Sequence, residues 1–186
     1  MNSLFESGKR NFSDKIVTDY DKLAAAVKGL QVVNFKVVVT IGSWDLLHIG
    51  HLRYLIQASL KGDILVVGVD TDRAIKLYKG ELRPIAPENE RLEMLTYQSP
   101  VDFVTTVDDV DKKGLWQRGL IKKVLPDVVV AVEDSYPQGQ LDEIKKYCSE
   151  LIILPRQAER TSTSQMIQDT VKRHLDKMYK IVSERC

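Results

Sequence analysis

Two histidines three residues apart carry the most suggestive chemistry in the sequence. His48 and His51 lie in the stretch 42–51, GSWDLLHIGH, which follows an apolar run at 36–40. The run predicts a buried strand, and the apolar spacing in 52–59 predicts one face of a helix. Ligands bind at such junctions in parallel sheets, because the strand ends and the positive end of the helix dipole face one crevice. Two imidazoles beside free backbone N–H groups suit a polyphosphate.

The glycines of this stretch support a ligand site. Gly42 lies in the turn, and Gly50 stands before His51, where it would let the backbone approach a ligand closely. Zinc is the competing use of two histidines, and it would need Asp45 and a fourth ligand. The third histidine, His174, is far along the chain, and no cysteine lies near the pair in the sequence. The pattern therefore favours phosphate binding over a metal site.

A second anion site is predicted where the last helix begins. The stretch 156–164, RQAERTSTS, follows the last predicted strand and opens the last predicted helix. Hydroxyls and free N–H groups at a helix start, with arginines beside them, can bind phosphate. An ordinary helix cap also uses a hydroxyl. Several hydroxyls beyond the one that a cap needs favour a ligand.

A third set of residues is basic. Lys76, Lys79, Arg83 and Arg91 fall on a short predicted helix, the loop after it and the next helix. Lysines on a loop can neutralise a polyphosphate, and a solvated basic face would have the same composition. These four residues do not decide between the two interpretations by themselves.

These residues are positioned by a regular alternation of helices and strands. Apolar strands without period-two alternation, separated by helices, indicate a doubly wound parallel sheet of α/β class with five strands. We expect residues 1–15 to form a flexible arm and 16–186 a single domain. The strands are predicted at 36–40, 64–69, 103–107, 128–132 and 151–154. The helices are predicted at 19–30, 49–61, 70–79, 88–97, 116–124, 141–147 and 163–178.

Composition excludes several classes of protein. The net charge of the 186 residues is +1, which argues against a dedicated nucleic-acid binder. The two cysteines, Cys148 and Cys186, are far apart, as expected of reduced thiols in a cytoplasmic protein. No apolar run approaches the length that spans a membrane, so no membrane partner is expected.

Three motifs in order resemble one family. The stretch 42–51 resembles the GxFDxxHxGH signature of the cytidylyltransferase-like (HxGH) nucleotidyltransferases. The segment 79–85, followed by Glu90–Arg91, resembles the lysine–glycine loop and E-x-R helix of that family. Residues 154–156 and 161–164 resemble its late arginine and hydroxyl motif. The likeness spans roughly residues 15 to 175 and implies a Rossmann-like fold.

The resemblance implies a reaction and a role for each matching residue. A nucleoside monophosphate would pass from ATP or CTP to a phosphorylated sugar or alcohol, with release of pyrophosphate. Mg²⁺ carried by the phosphates and a homodimer are also implied. The implied catalytic residues are His48, His51, Lys79 and Arg156. The implied nucleotide-binding residues are Ile41, Gly42, Ser43, Trp44, Gly50, Asp134, Arg160, Thr161, Ser162 and Thr163. The implied substrate-binding residues are Asp45, Lys76, Arg83 and Arg91.

The base and the acceptor stay open. The loop 79–85 is similar to that of the ADP-heptose synthase adenylyltransferase domain, and Leu-Pro-Arg at 154–156 to that of glycerol-3-phosphate cytidylyltransferases. Trp44 replaces the usual phenylalanine, and the family's glycine after the fourth strand is Val132 or Glu133. FAD synthesis and nucleotide binding without turnover are further alternatives. A class I aminoacyl-tRNA synthetase is disfavoured, because the sequence has no Lys-Met-Ser-Lys-Ser loop.

Overall fold

A five-stranded parallel sheet organises the protein in this computed structural model, which describes residues 11–111, 116–133, 135–159 and 161–183. The order of the strands is β3-β2-β1-β4-β5, and all pairs are parallel. The strands are β1 (Val37–Gly42), β2 (Ile64–Asp70), β3 (Phe103–Val107), β4 (Val128–Val132) and β5 (Glu150–Leu154). The order reverses at β1, so the crevice beside its carboxyl end is where a ligand is expected.

Helices cover both faces of the sheet, which confirms the doubly wound α/β fold. One core joins Leu55 and Leu95 to the sheet, and the other joins Leu23 and Leu120 to its opposite face. The valine-rich strands are buried on both sides, which explains why their sequences do not alternate. The helices are α1 (Tyr20–Val32), α2 (Ile49–Ser59), α3 (Asp72–Lys79), α4 (Glu88–Thr96), α5 (Gly119–Val124), α6 (Gln138–Ile144) and α7 (Thr163–Ser183).

Two helices differ from their predicted bounds. The sequence predicts a helix from Trp116, but α5 begins at Gly119 because Arg118 has a φ of +67°, which interrupts a right-handed helix. Trp116 instead pairs with Val110 in an antiparallel bridge. Helix α6 begins three residues before the predicted start, directly after Pro137. Proline is favoured at such a boundary because its fixed φ suits the first turn.

The predicted arm is shorter than 15 residues. Residues 1–10 lie outside the described part, but Phe12–Lys15 forms a 3₁₀ helix. The Lys15 side chain is buried, and its ammonium donates to the carbonyl of Val101 over 2.7 Å. Burial lowers the pKa of this lysine, and Asp102 nearby opposes that shift. Ile16 then pairs with Val104 at the edge of the sheet. Residues 11–15 therefore pack with the domain.

Helix α7 extends five residues beyond its predicted end. It comprises 21 residues, none of which is buried against the described part of the protein. Its apolar residues share a helical face, as their spacing requires, but that face is exposed. Within the described residues, we find no helix with the length and hydropathy that crossing a membrane requires.

Candidate active site

A cleft of about 1080 Å³ opens at the carboxyl ends of the strands. It brings together the turn after β1, the end of α3 and the segment between β5 and α7. These are the three sets of residues that the sequence analysis singled out. The candidate residues that line the cleft are Ile41, Gly42, Ser43, Trp44, His48, Gly50, His51, Lys79, Arg83, Arg156, Thr161, Ser162 and Thr163.

The histidines form the start of α2. His48 is the N-cap residue, and its Nδ1 accepts a hydrogen bond from the Gly50 N–H over 3.1 Å. Nδ1 of His51 accepts from the His48 N–H over 3.4 Å, which completes a capping box. The two rings stack with centroids 4.0 Å apart. Because both Nδ1 atoms are acceptors, a neutral imidazole here carries its proton on Nε2.

Electrostatics keep this pair neutral. Burial lowers the pKa of His48. Burial, with the charges of His48 and Lys79 adding to it, lowers the pKa of His51 to about 4. At pH 7 both side chains are therefore uncharged and present an Nε2–H donor. They suit hydrogen bonding to an oxygen that gains negative charge.

Lys79 reaches the histidine turn from the end of α3. Its Nζ donates to Oγ of Ser43 over 2.7 Å. Burial lowers the pKa of Lys79, and the neighbouring Arg83 adds to the effect. The helix ends at Gly80, whose φ of +92° favours glycine and turns the chain away. The lysine is thus held at the cleft by Ser43, in reach of an anionic ligand.

Asp45 is part of the framework of the site, which corrects its predicted role as a substrate-binding residue. Its carboxylate is only 1% exposed and accepts from Nε of Arg83 over 2.8 Å and from the N–H groups of Ile85 and Ala86. Burial opposes ionisation, but the hydrogen bonds of Ala86, Ile85 and Arg83 outweigh it and lower the pKa. Arg83 is largely committed to this ion pair. Asp45 therefore fixes the loop after Lys79 against the histidine turn.

Arg91 and Lys76 also differ from their predicted role in substrate binding. Arg91 is fully buried in α4, and its guanidinium donates to the carbonyls of Ser43, Asp70 and Ala86 and to the carboxylate of Asp72. A group with these partners inside the protein is a structural clamp. Lys76 is exposed on α3 and does not line the cleft.

The start of α7 supplies hydroxyls to the cleft. Oγ of Ser162 accepts from the Gln165 N–H over 3.1 Å and caps the helix. Oγ1 of Thr163 donates to the carbonyl of Asp45 over 2.7 Å, which connects α7 to the histidine turn. Arg156 lines the cleft, and its N–H donates to the carboxylate of Glu133. The predicted residues Asp134 and Arg160 lie outside the described residues.

Gly50 is required by protein packing. A Cβ at this position would lie 2.9 Å from Cβ of Ala158 and 2.9 Å from Cε1 of His48. The segment after β5 therefore approaches α2 as closely as a glycine allows. The sequence analysis attributed this glycine to a bound ligand, whereas the neighbours shown here are protein atoms.

Sequence reasoning missed one end of the cleft. The rings of Trp116 and Tyr136 lie there with centroids 5.1 Å apart, and Asp70 and Tyr78 line it too. Tyr78 donates to the carboxylate of Asp70 over 2.6 Å, and burial raises the pKa of that carboxyl. Nε1 of Trp116 is buried without a hydrogen-bond partner in the described part of the chain. Asp70 ends β2 and could have been found from its place; the position of Trp116 depends on an irregular loop.

These features match a known family. Residues 39–177 match the model of the cytidylyltransferase-like family. The chain belongs to this family, and it is a nucleotidyltransferase.

Individual relatives narrow the comparison. The chain is 34% identical over 151 residues to the bifunctional protein HldE of Desulfatibacillum aliphaticivorans, covering 80% of this chain and 29% of that protein. It is 41% identical over 117 residues to HldE of Hydrogenovibrio crunogenus, covering 63% of this chain and 23% of that protein. The chain spans about a quarter of the length of these curated relatives.

Solved structures agree on the fold. The lipopolysaccharide core biosynthesis protein of Thermoplasma volcanium superposes with a TM-score of 0.57 and 25% identity, covering 66% of this chain and 98% of that one. The pantoate–β-alanine ligase of Francisella tularensis superposes with a TM-score of 0.55, covering 75% of this chain and 66% of that one. At 11% identity the second likeness concerns the fold alone.

Proposed function

We propose that the protein transfers an adenylyl group from ATP to a sugar 1-phosphate of the heptose type and releases pyrophosphate. The observation that carries this proposal is the pair of Nε2–H donors of His48 and His51, which line the cleft beside Lys79. The similarity to HldE proteins supports an adenylyl group and a sugar phosphate as the two partners, because the sequence resembles the ADP-heptose synthase adenylyltransferase domain.

The reaction requires positioning and charge stabilisation. An acceptor phosphate oxygen, already anionic at pH 7, attacks the α-phosphorus, and the bond from that phosphorus to the bridging oxygen breaks. The histidines donate to the α-phosphate and to the bridging oxygen as its charge grows. No base is needed, which agrees with imidazoles that resist protonation. Lys79 neutralises the triphosphate, while Arg156, Ser162 and Thr163 hold the β- and γ-phosphates.

Mg²⁺ belongs to the proposal as a companion of the triphosphate. The described residues contain no group of three or more His, Cys, Asp or Glu that could hold a metal ion. Single carboxylates such as Asp70 and Glu159 do line the cleft. This set fits a cation whose ligands are mainly phosphate oxygens and water. When bound, the cation would add charge neutralisation at the phosphates.

A second candidate is a phospho-alcohol acceptor with a cationic head, such as phosphoethanolamine or phosphocholine, with CTP as donor. The carboxylate of Asp70 and the rings of Trp116 and Tyr136 line the same end of the cleft. Aromatic faces and a carboxylate together attract an ammonium group. The same rings can also stack on a sugar, with the indole N–H of Trp116 donating to a hydroxyl.

The proposal is tested by measuring pyrophosphate release with ATP and CTP separately. Each is offered heptose 1-phosphate, glycerol 3-phosphate, phosphoethanolamine, phosphocholine or FMN. Release with ATP and heptose 1-phosphate is the expected result. Release with CTP and a phospho-alcohol would favour the second candidate, and release with FMN would indicate FAD synthesis. Nucleotide binding without any release would favour a binding module. We further propose that the enzyme acts in the cytoplasm, without a nucleic-acid or membrane partner, as a homodimer.

A further inference from the structure

Helix α7 carries an apolar stripe that nothing in the described structure covers. The stripe consists of Ile167, Val171, Leu175, Met178 and Val182. Val171 is 51% exposed, Leu175 58%, Met178 61% and Val182 62%. At 100° per residue these five side chains fall within an arc of about 80°, which makes one continuous face over four turns. We propose that two copies of the chain pair through this α7 stripe, and that pairing fixes the phosphate-binding start of the helix.

Charge distribution favours a covered stripe. The stripe contains no charged residue, and Lys172 is the nearest charged neighbour at its edge. The other face of the helix carries Asp169, Arg173, Asp176 and Lys180. A helix that stayed in solvent all round would not need to separate the two kinds of residue so cleanly.

The pattern of the stripe suits a second copy of itself. Its spacing of four, four, three and four residues is nearly the same in both directions. Two antiparallel helices with their two-fold axis at the middle of the stripe then place Val171 opposite Met178 and Ile167 opposite Val182. An isologous interface requires such self-complementarity. A helix of 21 residues is about 31 Å long, so a lengthwise pair buries on the order of 1,000 Å² in total, the lower limit for a specific interface.

Pairing would reach the site through the first turn of α7. Thr163 donates to the carbonyl of Asp45, and Ser162 caps the same turn. Both residues line the cleft. Since no α7 residue is buried in the described protein, the direction of the helix depends on this first turn. A partner along the stripe would hold the helix, and with it the hydroxyls that the proposed function assigns to the β- and γ-phosphates.

The test is the mass of the full chain in solution, measured by sedimentation equilibrium over a range of concentrations without substrate. We expect a dimer, and an association constant at least about 100-fold lower in Leu175→Glu. Met166→Glu is the matched control, because Met166 is an exposed apolar residue of α7 that lies off the stripe. It should associate like the wild type. All three proteins should show the same helix content and unfolding transition, since neither side chain is buried.

The outcomes separate this proposal from the proposed function. A wild type that is monomeric at every concentration overturns the pairing, even if it captures another protein. A Leu175→Glu variant that dimerises like the wild type overturns it as well. If pairing holds, the KM for the nucleotide should rise on dilution into the monomer range while the Met166→Glu control follows the wild type. Lack of turnover with every acceptor would contradict the proposed function and leave the mass result intact.

Discussion

The protein meets phosphate at two strand-to-helix junctions that are held very differently. The histidine turn is fixed from several sides: Trp44 donates to the carbonyl of Gly68, Asp45 binds the loop at 83–86, and Arg91 clamps Ser43. The start of α7 is attached to that turn by one hydroxyl, that of Thr163. The difference assigns rigidity to the junction at which charge develops. The junction proposed to hold the departing pyrophosphate can then yield when the product leaves.

Removing the charge of Asp45 should have the largest effect, because it releases both junctions. Asp45→Asn breaks a buried ion pair with Arg83 and should lower the free energy of unfolding by about 3–5 kcal/mol. Glu150→Gln is the matched control, since the Glu150–Lys36 pair is about half exposed and should cost about 1 kcal/mol or less. Chemical denaturation of both variants gives the comparison. Equal losses would show that Asp45 is not the anchor described here.

Replacing either histidine tests the rigid junction alone. His48→Ala and His51→Ala should each lower the rate by about 10²–10³-fold, since each removes a preorganised donor. His48→Ala should also destabilise the protein by about 1 kcal/mol, because it removes the cap of α2. Steady-state kinetics with the true substrate and circular dichroism separate the two effects. Near wild-type rates in both variants would refute the mechanism.

Lys79 sharpens the comparison, because it belongs to neither junction but reaches the histidine turn. Lys79→Met should lower kcat/KM by roughly 10²-fold through loss of charge at the triphosphate. Lys76→Met is the control on the same helix, and its side chain does not line the cleft. It should retain the wild-type rate. A larger effect at Lys76 than at Lys79 would reverse the assignment.

The pKa of His51 predicts a pH-dependent stability of the rigid junction. It is lowered from 6.5 to about 4, so below pH 6.5 the unfolded chain binds a proton that the folded chain does not. Stability therefore falls as the pH falls from 6.5 towards 4, by about 2 kcal/mol between pH 7 and pH 5. His51→Asn should lack this contribution. Denaturation of both proteins at the two pH values measures the difference, and parallel losses would contradict the neutral state of His51.

The weaker junction should give the smallest effect. Thr163→Val removes the hydrogen bond to Asp45, which is worth about 0.5–1.5 kcal/mol. We expect the KM for the nucleotide to rise a few-fold with little change in kcat. Thr163→Ser keeps the hydroxyl and should restore the KM. A large fall in kcat would mean that α7 is as critical to the transition state as the histidines are.

The sequence predicted the sheet because its strands are apolar on both faces, and only a covered parallel sheet satisfies such runs. It also placed the histidines, since their position after β1 follows from the topology. It could not show that Asp45 and Arg91 point inwards. A charged residue near a motif has the same sequence signature whether it binds a ligand or an internal partner, and only the fold supplies Arg83 or the Ser43 carbonyl.

Two further limits have local causes. The apolar spacing around Trp116 continues into α5, so it predicts one helix, and the left-handed Arg118 that separates them leaves no mark in the pattern. The spacing in α7 identifies an apolar face correctly. It does not say what covers that face, because periodicity describes one element and burial requires two.

The double use of His48 has an evolutionary consequence. Its Nδ1 caps α2, and its Nε2 supplies the donor that the proposed chemistry needs. Asparagine and aspartate are each one base change from histidine, and both are among the best N-cap residues. Either substitution would keep the helix start while removing the donor. A gene copy with such a change would encode a folded protein that has lost turnover, a short path from an enzyme to a nucleotide sensor.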